Sequence, residues 1–448
     1  MKTRTSLNLL ILLPIIFLSA CSSITAYQID LLPAPDVYVK KLVNPFPSKD
    51  IIETGPYKGI LYATDRLPSN NKHDEIYYRN ERGQGLLRLG IGEVEIDRLV
   101  WTVKEEVAWD ELVKISTQKF RKKTYPLQVK GLTEIGILDR SYNVFNELNS
   151  KITNPKAPAQ KYAELINKKF KMSRKKDIYI YVHGYNTVFE DPLLVGSELW
   201  HYLGYDGVFI AYAWPATPRG FAYLADMDTA KVTSRNLRFL LEYLSEETDV
   251  ENIHIIGYSM GTRIVTYTLA DIALIHYGKP YKKIKKKIKI GNVILIGSDL
   301  ELGVFGGYLL DGILNTTKSF TIYNSGTDSA MGASNWLFER PRLGEAWPEV
   351  DVPIILSKYL GKNKKLRFID VTKAENAASG NGHHYFIESP WVSSDLLLTL
   401  NFDLTPQQRG LVLNKKTNMW YFSKDYPERV ESELKKIDPK ILNAKITK

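Results

Sequence analysis

From residue 177 onward the chain alternates between two hydrophobic patterns. Six short runs are almost continuously apolar and β-branched: 177–184 (DIYIYVHG), 207–214 (GVFIAYAW), 252–259 (NIHIIGYS), 292–299 (NVILIGSD), 319–326 (SFTIYNSG) and 365–372 (KLRFIDVT). Runs of that kind suit strands covered on both faces. Between several of them the apolar positions recur at helical spacing, at 193–203, 230–244 and 261–277. Strands alternating with helices predict an α/β architecture, a mostly parallel sheet with helices on both faces. The earlier signals are weaker. Residues 59–64, 92–96 and 127–138 read as strands, 105–121 as a helix, and 425–448 as a terminal helix with a basic tail. No internal repeat is present.

The first residues follow a different pattern. A basic start precedes an apolar run at 9–18 and then Leu18-Ser19-Ala20-Cys21. The run is too short for a membrane span and ends in small residues, which marks an export signal. Its end resembles the lipobox of bacterial lipoproteins, which implies cleavage before Cys21 and lipidation of that residue. Ser22 in place of Asp implies a route to an outer membrane where the cell has one. Residues 24–50 carry Pro33, Pro35, Pro45 and Pro47 with no regular period, and prolines of this density make an extended tether. The expected organisation is a signal peptide at 1–20, a lipidated cysteine and tether at 21–50, a folded domain at 51–400, and a helical extension with a basic tail at 401–448.

Composition narrows the classes. At 44% hydrophobic and 25% charged residues, with 27 Tyr, 16 Phe and 8 Trp among 448 residues, the chain is globular and not disordered. The single cysteine excludes an intrachain disulfide. The net charge of +10 gathers in two runs before strands. One is Lys168, Lys169, Lys171, Arg174, Lys175 and Lys176; the other is Lys279, Lys282, Lys283, Lys285, Lys286, Lys287 and Lys289. They read as solvated connections at the N-terminal ends of strands. Lys282, Lys283, Lys285, Lys286 and Lys287 would also attract anionic headgroups and turn the opposite, chemical end away from the bilayer. The runs have no interleaved aromatics, so no nucleic-acid partner is expected. No Cys/His cluster and no phosphate-binding loop occurs, so no metal or cofactor is expected.

The chemistry concentrates at Gly257-Tyr258-Ser259-Met260-Gly261, a G-x-S-x-G with a strand before it and a helix after it. Its serine is expected in a strained turn, exposed at the sheet end beside a helix N-terminus. A serine hydroxyl needs a base, oriented in turn by an acid, and the order for this turn is Ser, acid, His. His276, His383 and His384 follow Ser259, and the last two lie in the loop NGHHYF after the final strong strand. His383 is the favoured base and His384 the alternative. Asp328, in NSGTDSAM, is the favoured acid; Asp299 is the alternative, with a second reading as a helix N-cap. His183-Gly184-Tyr185-Asn186 ends the first strong strand, so the main-chain N–H groups of Tyr185 and Met260 are the expected oxyanion donors. His183 and His254 read as structural.

Six stretches carry a family resemblance: YATDR (62–66), VHGYN (182–186), AWPA (213–216) with Tyr223 and Asp226 behind it, GYSMG (257–261), YNSGTDSAM (323–331) and GHHYF (382–386). Over 55–400 the chain resembles a bacterial family of predicted esterase/lipase-like α/β hydrolases of undefined role. The resemblance implies an α/β-hydrolase fold and a Ser-His-acid triad without specifying a substrate. The expected activity is a serine hydrolase acting through an acyl-enzyme on ester or acyl substrates of the cell envelope. The alternatives are an acyltransferase or thioesterase, or a non-catalytic envelope lipoprotein that binds through the same fold.

Overall fold

In chain order the strands are β1 (Gln28–Asp30), β2 (Ile60–Thr64), β3 (Arg66–Pro68), β4 (Tyr78–Arg82), β5 (Arg88–Val100), β6 (Val103–Glu106), β7 (Pro126–Ile137), β8 (Asp177–Val182), β9 (Val208–Tyr212), β10 (Asn252–Tyr258), β11 (Ile290–Ile296), β12 (Ser319–Asn324), β13 (Leu366–Asp370), β14 (Val412–Asn414) and β15 (Met419–Tyr421). They come from a computed structural model that describes residues 27–46, 59–69, 77–100, 103–144, 146, 154–219, 222–332, 340–347 and 352–442. The expected signal peptide at 1–20, Cys21, Pro47 and the last six residues lie outside the described residues. One sheet runs β1-β7-β5-β2-β9-β8-β10-β11-β12-β13-β15-β14, and β6 hairpins onto β5. From β2 to β15 neighbouring strands are parallel; β5, β7, β1 and β14 join antiparallel. This is the α/β fold that the apolar runs predict.

The continuous runs are continuous because both sheet faces are covered. In β8, Ile178, Ile180 and Val182 join one core cluster with helices Ala157–Phe170, Tyr223–Glu247 and Gly261–Ile275. Tyr179 and Tyr181, at the intervening positions, join a second cluster with helices Glu190–Tyr202, Pro390–Phe402 and Tyr426–Leu434. Every residue of β8, β9, β11 and β12 is buried. Each large aliphatic side chain taken from water this way contributes about 1.5–3 kcal/mol. In a parallel sheet all chain turns that follow strand C-termini meet at one end, where ligands bind. Ser259 follows β10 at that end.

Three segments differ from the sequence expectation. Residues 105–121 open on the last two residues of β6, paired with β5, and hold only a short helix at Trp109–Ile115. The C-terminal region is more than a helical extension: β14 and β15 lengthen the sheet, and Tyr426, Val430 and Leu434 bury one stripe of the following helix. The largest difference is in the proline-rich segment. Residues 27–46 do not stand off as a tether but pack on the body. β1 pairs with β7, with Gln28 opposite Gln128. Val37 and Tyr38 of the helix Asp36–Val39 are buried, and the Tyr38 hydroxyl donates to the Tyr202 carbonyl at 2.6 Å. Arg121 donates to the carbonyls of Leu31 and Leu32 at 2.6 Å each, and the Leu32 N–H donates to Glu198 Oε2 at 2.9 Å. The pieces are too short to show a period, so the apolar anchors have no legible pattern.

The basic runs lead into β8 and β11 at their N-terminal ends, as expected, and these strands lie on either side of β10. Part of each run is structural: Lys175 bonds the Asn401 carbonyl, Arg174 pairs with Asp206 at 3.0 Å, and Lys285 donates to Asn252 at 2.8 Å. Lys282, Lys283, Lys286 and Lys287 are exposed on the helix Tyr281–Ile288, which buries Ile284 and Ile288.

Burial pushes the Glu198 carboxyl up to about 8. The folded chain therefore holds a proton there that the unfolded chain releases near 4.3. Stability from this group is full below the unfolded value and is lost as pH rises toward about 8. Glu198→Gln keeps an acceptor for Leu32 and removes the titration. Thermal melts across this pH window should give a shallower fall in Tm for the variant than for wild type. Parallel curves would contradict the assignment.

Candidate active site

Ser259 has φ +51°, a left-handed backbone that a non-glycine residue adopts at a cost of order 1–3 kcal/mol. Its surroundings hold it there. The Ser259 N–H donates to the Ile296 carbonyl at 2.9 Å, tying the turn to β11. The Ser259 carbonyl takes the Thr262 N–H at 3.0 Å and the Thr262 hydroxyl at 2.6 Å. Met260 is the N-cap of helix Gly261–Ile275. Two close approaches explain the glycines around it. A Cβ at Gly261 would lie 2.3 Å from the Val182 carbonyl oxygen, so only glycine lets the helix start against the end of β8. A Cβ at Gly184 would lie 2.9 Å from the Ser259 Cβ. The His183–Asn186 turn is thus pressed against the serine, and Tyr185 lines the same cavity as Ser259.

His183 belongs to the frame of that turn. Its ring stacks on Trp214 at 5.3 Å and 13°, its nitrogens lie 2.8 Å from the Gly184 carbonyl and 3.1 Å from that of Trp214, and Trp214 Nε1 donates to the His183 carbonyl at 2.7 Å. Burial first, and the Arg66 charge second, hold this imidazole well below its usual range and so neutral. His254 is buried beside Asp177 at 3.5 Å and stacked on Tyr179, a core position.

The structure brings Asp328 to His383. Asp328 Oδ2 and His383 Nδ1 are 2.6 Å apart with both residues buried, while Asp328 Oδ1 accepts the N–H groups of Ala330 and Met331 at 3.1 Å each. The carboxylate is therefore held on both oxygens. The His383 ring packs on Tyr258 at 4.9 Å. Ser259, His383 and Tyr185 line one cavity of about 580 Å³. His384 lines it too, at the N-cap of the short helix Tyr385–Glu388, with its ring 5.9 Å from that of His383. Burial, then the neighbouring His383, lowers the His384 imidazole from its ordinary value.

Asp299 reaches the same cavity in another role. Its Oδ2 accepts the Tyr223 hydroxyl at 2.5 Å and Arg263 Nε at 2.9 Å, and its carbonyl takes Arg263 and Arg342 at 3.0 and 3.1 Å. The N-cap position of the following helix, Leu302–Leu310, is Glu301, two residues past Asp299, and its side chain makes no capping hydrogen bond, so Asp299 does not serve as the cap. Arg263 and Tyr223 were not expected as partners of Asp299: Tyr223 stood only behind the 213–216 stretch, and Arg263 lies in none of the six stretches.

The YATDR stretch also has a physical account. The fully buried Arg66 donates to the Thr187 carbonyl at 2.8 Å, behind the His183–Asn186 turn, and to Asn80. Asp65 accepts from Thr233 and from Asn236 at 3.0 Å, and Asp226 takes the Thr217 N–H and hydroxyl at 2.8 and 2.9 Å. These residues brace the loops that flank the cavity. Among the described residues no group of three or more His, Cys, Asp or Glu side chains would hold a metal ion.

A family model described as "Alpha/beta hydrolase of unknown function (DUF900)" matches residues 158–399, more than half of the 448 residues. No curated protein matches the chain.

The two aspartates should separate in stability measurements. Asp299→Ala strands the buried Arg263 charge and should cost about 3–5 kcal/mol in urea unfolding. Asp328→Asn keeps an acceptor for Ala330 and Met331 and should cost about 1 kcal/mol. A larger loss for Asp328→Asn would contradict these roles.

Proposed function

We propose that the chain, which belongs to the alpha/beta hydrolase family of unknown function, is a serine hydrolase of carboxylic esters, exported and anchored in the bacterial cell envelope through Cys21. The observation that carries the catalytic reading is the Asp328–His383 hydrogen bond of 2.6 Å, with His383 lining the cavity that also holds Ser259. His383 takes the Ser259 proton as the hydroxyl oxygen attacks the ester carbonyl. Asp328 fixes the imidazole tautomer and stabilises its charged form without itself taking the proton. The N–H groups of Tyr185 and Met260 face the oxygen on which charge develops. His383 then returns the proton to the leaving alcohol, and water releases the acyl group from Ser259 by the reverse sequence. Acyl transfer and thioester cleavage share this intermediate, so acceptor and leaving group distinguish them.

The export reading rests on the 9–18 apolar run and on Leu18-Ser19-Ala20-Cys21. Among the described residues no helix is long and apolar enough to cross a membrane. Lipidation supplies the attachment, and more than one acyl chain makes it firm.

Steady-state hydrolysis of a short water-soluble ester tests the catalytic assignment. Asp328→Asn should lower kcat by about 10⁴ with KM little changed, and Ser259→Ala should abolish turnover. Retention of activity in Asp328→Asn together with its loss in Asp299→Asn would move the acid to the earlier strand. Separately, Cys21→Ala should leave the chain unprocessed or release it from membranes. Unchanged mass and membrane retention in that variant would refute the anchor.

A further inference from the structure

The described chain begins at the rim of the catalytic cavity. Tyr27 lines the same cavity as Ser259 and donates its hydroxyl to Asp191 Oδ1 at 2.6 Å, at the start of helix Glu190–Tyr202. Strand directions give the same placement independently. β1 is antiparallel to β7, β7 to β5 and β5 to β2, while β2 runs parallel to the strands around β10. Three reversals make β1 run opposite to β10. The chain therefore enters the fold at the end where β10 delivers Ser259.

Cys21 precedes Tyr27 by six residues. Six residues reach about 20 Å at most, even when fully extended. An anchor on Cys21 therefore keeps the cavity mouth close to the bilayer. The exposed lysines of Tyr281–Ile288 sit at the far end of the sheet. The seven residues of β10 place that end about 23 Å further away. The tether expected at 24–50 would have left either end free to meet the membrane. With residues 27–46 packed on the body, that freedom shrinks to the short span between Cys21 and Tyr27.

The lining suits an acyl chain. Tyr181, Val195, Tyr258, Phe386 and Ile387 line the cavity, and Leu224, beside the lining residue Tyr223, is exposed. We infer that the cavity opens toward the bilayer holding Cys21 and takes its substrate, the acyl ester of a membrane amphiphile, from that leaflet. This rests on Cys21 as the anchor and Ser259 as the nucleophile. It reverses the orientation that the basic runs suggest.

The test uses the mature lipidated protein in phosphatidylcholine vesicles. With the Cys21 thiol consumed by lipid, Leu224→Cys or Lys286→Cys supplies one labelling site each. A fluorophore at position 224 should be quenched by lipid-borne spin labels several-fold more than one at 286. Equal quenching, or stronger quenching at 286, would overturn the orientation, and failure to associate with vesicles would overturn the anchor beneath it. A flexible insertion of about 20 residues after Ser23 should lower hydrolysis of a fluorogenic long-chain diacylglycerol in the vesicles about fivefold, by diluting the cavity away from the surface. The same insertion should leave a water-soluble ester unaffected. An unchanged vesicle rate would refute delivery from the leaflet. Absence of soluble-ester turnover in every form would refute the hydrolase reading, while the quenching pattern still reports orientation.

Discussion

The left-handed backbone of Ser259 is the constraint around which the neighbouring structure is arranged. A non-glycine backbone held at φ +51° persists only where its surroundings over-determine it. Here the ladder of β8, β10 and β11 supplies the rigidity, and the Ser259 N–H is bonded across to Ile296. The helix Gly261–Ile275 can start against β8 because position 261 has no side chain, and the His183–Asn186 turn can approach because position 184 has none. His183, Trp214, Arg66 and Thr187 then fix that turn from behind. Strain at one residue is thus offset by packing and hydrogen bonds over several elements.

Two carboxylates at successive strand ends show how environment divides roles. Asp299 follows β11, and its Oδ2 faces a guanidinium and a phenol, so its charge is matched by Arg263 within the fold. Asp328 follows β12 and meets two main-chain N–H groups and one imidazole. A carboxylate whose charge is already matched by a permanent cation stabilises a charged imidazole less. One that faces an imidazole stabilises the ring more as the ring becomes charged.

Much of this was legible in the sequence because the signals are local. The buried strands announce themselves as apolar runs, and the G-x-S-x-G turn is defined by its own neighbours. The pairing of Asp328 with His383 across 55 positions was legible only as chain order, and its geometry depends on the sheet. What stayed hidden depends on distant partners. Leu31, Leu32 and Tyr38 dock through Arg121, Glu198 and Tyr202, which no local period in a proline-rich segment reports. The strands β14 and β15 are three residues each, too short to display alternation. The bracing by Arg66 showed only as a motif, since a buried guanidinium is explained by the carbonyl it meets in the fold.

The most direct measurement is covalent. The protein is treated with a fluorophosphonate, digested, and the modified peptide identified by mass. The account predicts a single stoichiometric adduct on Ser259, absent from Ser259→Ala and strongly slowed in His383→Ala with the fold intact. A folded protein that stays unlabelled, or one labelled equally well in Ser259→Ala, would contradict it.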